Sequence, residues 1–587
     1  MQETVRPQPD HTLTKRDLTI LVLFAAILFG FSLVGGRVLT LHEARLPQTS
    51  REMATNGDWL VPRSGGRPWL ERPPLPHWIT VATIKLLGHS DQEWVHRIPP
   101  ALAGICCVLL SAWIAATWFG RGIGLLSGLM LATSFEFLRY AWMAEEDVFL
   151  AAAVLVGMAL FVQLEFLRPR QNTESTNFFG NRPPLVWTFF LVLGLTNLVK
   201  GLFFAAVMVG LAGGTFLLWN RDRKAILRYV WCWGILLFAV VSCAWCWGVS
   251  REYPEMLRIW MGDVTNRTDG NWSRSPFWYY AECLAWSMLP WTLPMLVGMI
   301  QTAKTAWNKP ATAERLLWCW GIVPLLFLSL PAHKHHHYLV PCLAPWAMFA
   351  ALGGRTIWAS VPAWPNGLKH PLLNGIAGGT ACALIVWLLR ARIPGAEWLL
   401  ILLPLGCFAA IAIVGMGLLN RRATSATALI FSTVVVVCCF GHWYSGQYVD
   451  TYREDTRFLK AARQSVPTGE PIYVNADGAI LNTFRNVFYL GDRGIVLHNL
   501  SFLRDEKIPN GHVYVIARLA AEQELADYGD TEILSASAQR ATSRRDEDRW
   551  ALYRVQLHAD LPKLRNNVRI SALQAMEREP GPYLRHQ

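Results

Sequence analysis

The chain of 587 residues is 53% hydrophobic and 16% charged, carries 28 tryptophans, and has a mean hydropathy of +0.25. A typical globular protein is about 25% charged, and disordered tails and nucleic-acid binders need charge in quantity, so a wholly soluble, disordered or nucleic-acid-binding chain is excluded. The net charge of +12 is read as topological, because Lys and Arg collect in the cytoplasmic loops of membrane proteins.

Apolar runs of about 20 residues mark transmembrane helices, and the chain holds about thirteen of them. Their cores are 18–36, 99–118, 123–139, 147–167, 185–200, 201–219, 229–249, 278–300, 316–331, 338–354, 371–391, 397–419 and 426–444. The expected fold class is a polytopic α-helical membrane protein. With Lys15 and Arg16 cytoplasmic, the even-numbered connections return inward and carry Arg121, the Arg168–Arg182 loop, Arg221 to Arg228, Lys304 to Arg315, Arg355, and Arg421 with Arg422. That is a positive-inside pattern, with Arg390 and Arg392 on the other side as a minor exception. It predicts a cytoplasmic segment over 1–17, a membrane domain over 18–444 and a long outer loop over 37–98. All twelve cysteines lie in or beside apolar spans, and Cys243 with Cys246 is read as buried helix packing rather than a redox or metal pair.

Beyond the last span the charges return. Strand-like runs at 471–474, 494–497, 512–516 and 550–555 flank a helix-like piece at 519–527, which reads as a small α/β domain over 445–560. An odd number of spans places it outside the cytoplasm, followed by a polar tail over 561–587.

The polar residues concentrate at the outer ends of the spans. His42-Glu43-Ala44-Arg45 follows the first span, Glu145-Glu146-Asp147 opens the fourth, and Lys200 sits at the break between the fifth and sixth. The outer loop adds Arg51-Glu52-Met53, Gly57-Asp58-Trp59-Leu60-Val61-Pro62 and Glu71-Arg72-Pro73-Pro74-Leu75-Pro76-His77-Trp78, whose tandem prolines are expected to hold an extended backbone. Each ionisable group alone reads equally well as an interfacial anchor. Their shared sidedness argues for a site, and a transporter would place such groups nearer mid-span.

These strings, in this order, resemble the bacterial polyprenyl-phosphate-sugar transferases: the aminoarabinose lipid A transferases and the protein O-mannosyltransferases of the C-type glycosyltransferase membrane fold. Further matches are Lys200-Gly201, Arg267 before Pro276-Phe277-Trp278-Tyr279-Tyr280, and Ser329, Lys334, His337-Tyr338 and Pro341. The resemblance covers roughly residues 15–355. Two departures stand out. His42 replaces the family's usual loop acid, and Arg72 replaces a lysine.

The resemblance implies an inverting transfer of a sugar from a polyprenyl-phosphate carrier to a lipid, protein or glycan acceptor at the outer face of the cytoplasmic membrane. Glu43 and Asp147 are the candidate catalytic acids. Arg72, Lys200, Arg267 and Lys334 are the candidate cations for the carrier phosphate. His42, Glu71, His337 and Tyr338 are auxiliary. A divalent cation is left open, with Glu43 and Asp147 as the acids that would hold it. The run His333-Lys334-His335-His336-His337 lacks the second ligand set of a zinc site. A transporter or lipid flippase, and a non-catalytic scaffold, are the rival classes.

Overall fold

The computed structural model describes residues 11–34, 37–168, 177–201, 203–269, 274–360, Phe431, 453–476, 483–497 and, with short gaps, 499–559. The predicted spans 371–391, 397–419 and, apart from Phe431, 426–444 lie outside the described residues, as does the tail over 561–587.

Helices stand on each of the first ten predicted spans. They are α1 (Lys15–Gly30), α4 (Glu93–Phe119), α5 (Arg121–Thr133), α7 (Asp147–Val162), α8 (Pro184–Lys200), α9 (Phe204–Trp219), α11 (Cys232–Ser250), α13 and α14 (Tyr279–Ser287, Thr292–Asn308), α15 (Ala313–Leu328) and α16 (Leu343–Ser360). Among the described residues, the segments Lys15–Leu33, Glu93–Phe119, Asp147–Leu167 and Cys232–Ser250 are each long and apolar enough to cross a membrane alone.

Two spans differ from expectation. The predicted helix over 278–300 is a pair bent by 116°; Pro290 lies in the break and has no N–H to give a helix. The predicted span 123–139 stops at Thr133, where extended Ser134 starts the short helix α6 (Phe135–Ala141). Cys243 is exposed rather than packed, because α11 turns most of its apolar surface outward.

Thr14 and Asp17 form a reciprocal capping box that starts α1, and Asp17 also pairs with Arg121 at the head of α5. Elsewhere the helices pack through small residues. A Cβ on Gly298 of α14 would lie 1.9 Å from the Phe349 carbonyl oxygen of α16, so only glycine permits that backbone approach.

The outer loop is built from α2 (Arg45–Asn56), a hairpin of β1 (Arg63–Ser64) and β2 (Arg67–Pro68), and α3 (Leu75–Leu87). Pro74, expected to be extended, is instead the helical N-cap of α3, and Pro76 lies in its first turn. Proline suits that position because the first helical N–H groups have no partner anyway. Trp245 and Trp260 donate their indole N–H to the Leu60 and Leu70 carbonyls at 2.8 Å, and Trp78 donates to Trp59 O at 2.7 Å. Trp245 and Trp260 thus pin the loop to the helices that follow it, and Trp78 closes the loop on itself.

The carboxyl-terminal region forms a five-stranded sheet, β4-β3-β5-β7-β6, with β3 (Ile472–Asn475), β4 (Gly494–Leu497), β5 (His512–Arg518), β6 (Gly529–Ala536) and β7 (Trp550–Leu557). Strand β3 pairs in parallel with β4 and β5; β7 pairs antiparallel with β5 and β6. Strands β3, β4, β5 and β7 lie on the four strand-like runs. The edge strand β6 was not foreseen, because it is mostly exposed and opens on Gly-Asp-Thr-Glu.

One face of the sheet carries α17 (Arg453–Ser465) and α18 (Thr483–Leu490). Their core includes Phe458, Phe484 and Phe488 together with Val38, Leu39, Ala44 and Trp69 of the outer loop. Loop and sheet share one hydrophobic core.

Candidate active site

The candidate residues meet at one end of the bundle because the chain reverses there repeatedly. Helix α1 ends, α4 and α7 begin and α8 ends at this level, and these helices pack in sequence α1–α4–α7–α8. The reversal after α8 depends on Gly201, which has φ 71°. A Cβ there would lie 3.0 Å from Trp260 and 3.3 Å from Pro73. This close approach explains the Lys-Gly pair and sets the Arg72-Pro73 stretch beside the end of α8.

Glu43 is fully buried. Arg97 Nε donates to its Oε1 at 2.6 Å and Arg37 lies 3.6 Å from its Oε2, while the Ala144 N–H donates to Oε1 at 3.2 Å. Thr40 Oγ1 accepts from the Glu43 N–H at 3.2 Å, a local capping arrangement. Burial alone would raise this carboxyl, but Arg97, Arg37 and the Ala144 N–H more than offset it, so it is held below the usual range. Glu43 therefore ties the outer loop to α4 and to the α6–α7 turn.

Asp147 and Lys200 form an ion pair, both buried, with the Lys200 ammonium 5.1 Å from the Tyr338 ring centroid. His337 lies within electrostatic reach of Lys200 and Arg72 and stacks on His335. His337 and Tyr338 belong to a 3-10 segment (His336–Cys342). Glu71 and Arg72 are half-buried at the mouth of α3. Lys334 is buried and donates to the Ser275 carbonyl at 3.0 Å, so it fastens the 333–337 turn as well as carrying charge. Arg267 falls on α12 (Met256–Asp269), and its side chain lies outside the described residues.

His42 is exposed, with Nδ1 3.0 Å from Arg45 Nη2. Desolvation by the surrounding protein, followed by the Arg45 charge, pushes its imidazole down to about 4, so it is neutral near pH 7. His77 of the loop motif is a buried structural residue between Thr49 Oγ1 (2.9 Å) and Ser50 Oγ (3.3 Å), and burial lowers it to about 3.

Three residues at this end, Arg97, Arg37 and Glu136, escaped the sequence reading, and Arg45 was named there without a role. Arg97 and Arg37 bind Glu43; Glu136 accepts from or shares a proton with His336 Nδ1 at 2.6 Å and lies 3.8 Å from Arg139; Arg45 faces His42 and Glu145. The available signal was placement, since Arg97 is a lone cation at the head of an apolar span and Arg45 follows Glu43 by two residues.

Among the described residues, no three His, Cys, Asp or Glu side chains converge to hold a metal ion. Glu43 and Asp147 point at separate cations rather than at a shared space. This donor set does not fit a metal ion.

The family model described as dolichyl-phosphate-mannose-protein mannosyltransferase matches residues 43–259. An undecaprenyl phosphate-alpha-4-amino-4-deoxy-L-arabinose arabinosyl transferase of Erwinia tasmaniensis is 27% identical over 410 residues, covering 68% of each chain. A similarly named protein of Sodalis glossinidius is 29% identical over 348 residues, covering 58% of this chain and 59% of its own length. The crystal structure of ArnT from Cupriavidus metallidurans bound to undecaprenyl phosphate superposes with a TM-score of 0.69 at 19% identity, covering 93% of this chain and 99% of that one. The chain is a membrane glycosyltransferase of the C-type fold that resembles the aminoarabinose transferases and the protein mannosyltransferases.

Proposed function

We propose that the chain transfers a sugar from a polyprenyl-phosphate carrier to an acceptor presented at the outer face of the inner membrane, with the α/β region on that same side. The relatives named for an undecaprenyl-phosphate donor support the carrier. The observation that carries the reading is the convergence of Arg72 and Lys200, with Tyr338 and His337, at the membrane-level end of the bundle.

The physical demand is specific. When the glycosidic bond to a lipid phosphate breaks, negative charge grows on the phosphate oxygen. Fixed cations in a site shielded from water stabilise that charge far more than they would in bulk solvent. Asp147 holds Lys200 in place, and Gly201 lets Pro73 bring Arg72 against the same corner. Arg267 and Lys334 are assigned to the same phosphate environment, Arg267 from its motif position. Direct displacement by the acceptor inverts the anomeric configuration. Lipid, protein and glycan acceptors share this chemistry, and the aminoarabinose relatives favour a lipid of the lipid A type. Charges at helix ends rather than mid-span leave the transporter reading without a supporting feature.

Mass spectrometry of envelope lipids from cells lacking the protein tests this reading. A polyprenyl-phosphate sugar should accumulate and one glycosylated product should disappear. Unchanged carrier-lipid pools would sink it.

A further inference from the structure

Attack by an acceptor hydroxyl needs a base that the acceptor can touch. Glu43 is 0% exposed and Asp147 3%, and each is held by a cation. Glu136 is 0% exposed and held by His336 and Arg139.

Glu145 and Glu146 both differ on these counts, and of the two it is Glu145 that is set among Asp147, Glu43 and Arg45. It is half-buried, and among the described residues no Lys, Arg or His lies within ion-pair distance of its carboxylate. Its backbone N–H donates to Met143 O at 2.9 Å, closing the tight turn that leads from α6 into α7. The next residue back, Ala144, donates to Glu43. The turn is thus fixed to the outer loop on one side and to the Asp147–Lys200 pair on the other. The charged groups facing Glu145 are Asp147, Glu43 and Glu146, with Arg45 as the nearby cation.

We propose that Glu145 is the general base that accepts the acceptor's proton, an assignment that rests on the polyprenyl-phosphate-sugar reading given above. The acceptor hydroxyl oxygen bonds to the anomeric carbon while its proton passes to the Glu145 carboxylate. The bond from that carbon to the carrier's phosphate oxygen breaks, and its electron pair leaves with the phosphate. The proton is lost to water once the product departs. His42, in the position where related loops carry an acid, has its proton affinity lowered to about 4 and faces the Arg45 guanidinium at 3.0 Å through Nδ1, so it is a poor proton acceptor and leaves this role to the next turn.

The electrostatics agree with the geometry. Burial and then the charges of Asp147, Glu43 and Glu146 push the Glu145 carboxyl up to about 8, against the pull of Arg45. The ionised fraction of such a carboxyl is a stronger base than an ordinary carboxylate, so turnover should rise as pH climbs toward 8.

The test complements cells lacking the protein and follows the accumulated carrier-linked sugar by mass spectrometry. Wild type should clear it. Glu145→Gln should clear it slower by about 10²–10⁴, the usual contribution of a general base, and Glu145→Asp should retain part of the rate. Purified Glu145→Gln should bind undecaprenyl phosphate as wild type does and resist heat at least as well in detergent, because it removes an acid repelled by three others. Clearance by Glu145→Gln at the wild-type rate overturns the assignment. So does loss of lipid binding together with turnover, and so does Glu146→Gln stopping turnover while Glu145→Gln runs. If wild type itself clears nothing, the donor reading has failed, and that is seen before any variant is scored.

Discussion

Glu43 and Glu145 are neighbouring acids with opposite electrostatics, and the difference lies in their partners. Glu43 is buried against Arg97, and breaking such a pair from one side leaves an uncompensated buried charge. Glu43→Gln is therefore expected to destabilise the fold by about 3–5 kcal/mol, read as a lower thermal midpoint in detergent. A variant as stable as wild type would show that Arg97 does not need its acid. Glu145 gives a pH signature instead. Its carboxyl is raised from 4.5 to about 8, so the folded state holds a proton that the unfolded chain has released. Stability from this group is full below pH 4.5 and is lost as pH rises toward 8. His42, lowered from 6.5 to about 4, acts oppositely over that lower range. Between pH 6.5 and 8 the wild-type chain should lose stability that Glu145→Gln keeps, and parallel midpoint curves would contradict the raised carboxyl. Glu43, Asp147 and Lys200 were visible in the sequence because they punctuate apolar runs. Arg97 as the partner of Glu43 was not, since 54 residues separate them and only packing of α4 against the outer loop brings them together.

At the scale of elements, one side chain links the outer loop to the carboxyl-terminal sheet. Arg51 of α2 is 5% exposed and donates to the carbonyls of Phe488 (2.5 Å), Val487 (3.0 Å) and Gly491 (3.2 Å). These are acceptors at the end of α18, where a helix leaves its last carbonyls unmet and favours a cation. Trp69 packs edge-on against Phe484 of the same helix at 5.2 Å, and Tyr489 Oη accepts from the Leu39 N–H at 2.8 Å. Arg51→Met keeps the stem and removes the donors, so it should loosen α18 first. Hydrogen exchange should rise in 483–491 and in the Val38–Ala44 stretch beneath it, while the far strands β5 and β7 keep their protection. Uniform exchange across the sheet would mean that Arg51 caps nothing of consequence. The sequence showed the apolar spans and the strand runs through periodicity and length. It did not show that Val38, Leu39, Ala44 and Trp69 finish the core of a region more than 380 residues away, because a shared core has no local pattern. Nor did it show that Pro74 and Pro76 start a helix, since tandem prolines suit an extended segment and a helix amino terminus alike.

For the whole molecule the proposed function carries a sidedness. The ends of α1 and α8, the beginnings of α4 and α7, the outer loop and the sheet lie together at one end, whereas the connection between α14 and α15 at Asn308–Lys309 follows one further passage of the chain through the bundle. Lys304, Lys309 and Arg315 flank the second connection, as Arg221 to Arg228 flank the one after α9, and cations of this kind are retained in the cytoplasm. Under the proposed function the carrier's sugar is used on the opposite side, next to Lys200. In a variant without its native cysteines, Asn56→Cys in the outer loop and Asn308→Cys should label differently with a membrane-impermeant maleimide applied to intact spheroplasts. Both positions are exposed, so burial does not confuse the comparison. Asn56→Cys is expected to react before lysis and Asn308→Cys only after it. The reverse order would place Glu43, Glu145 and Lys200 on the cytoplasmic face and would require the donor to be consumed there.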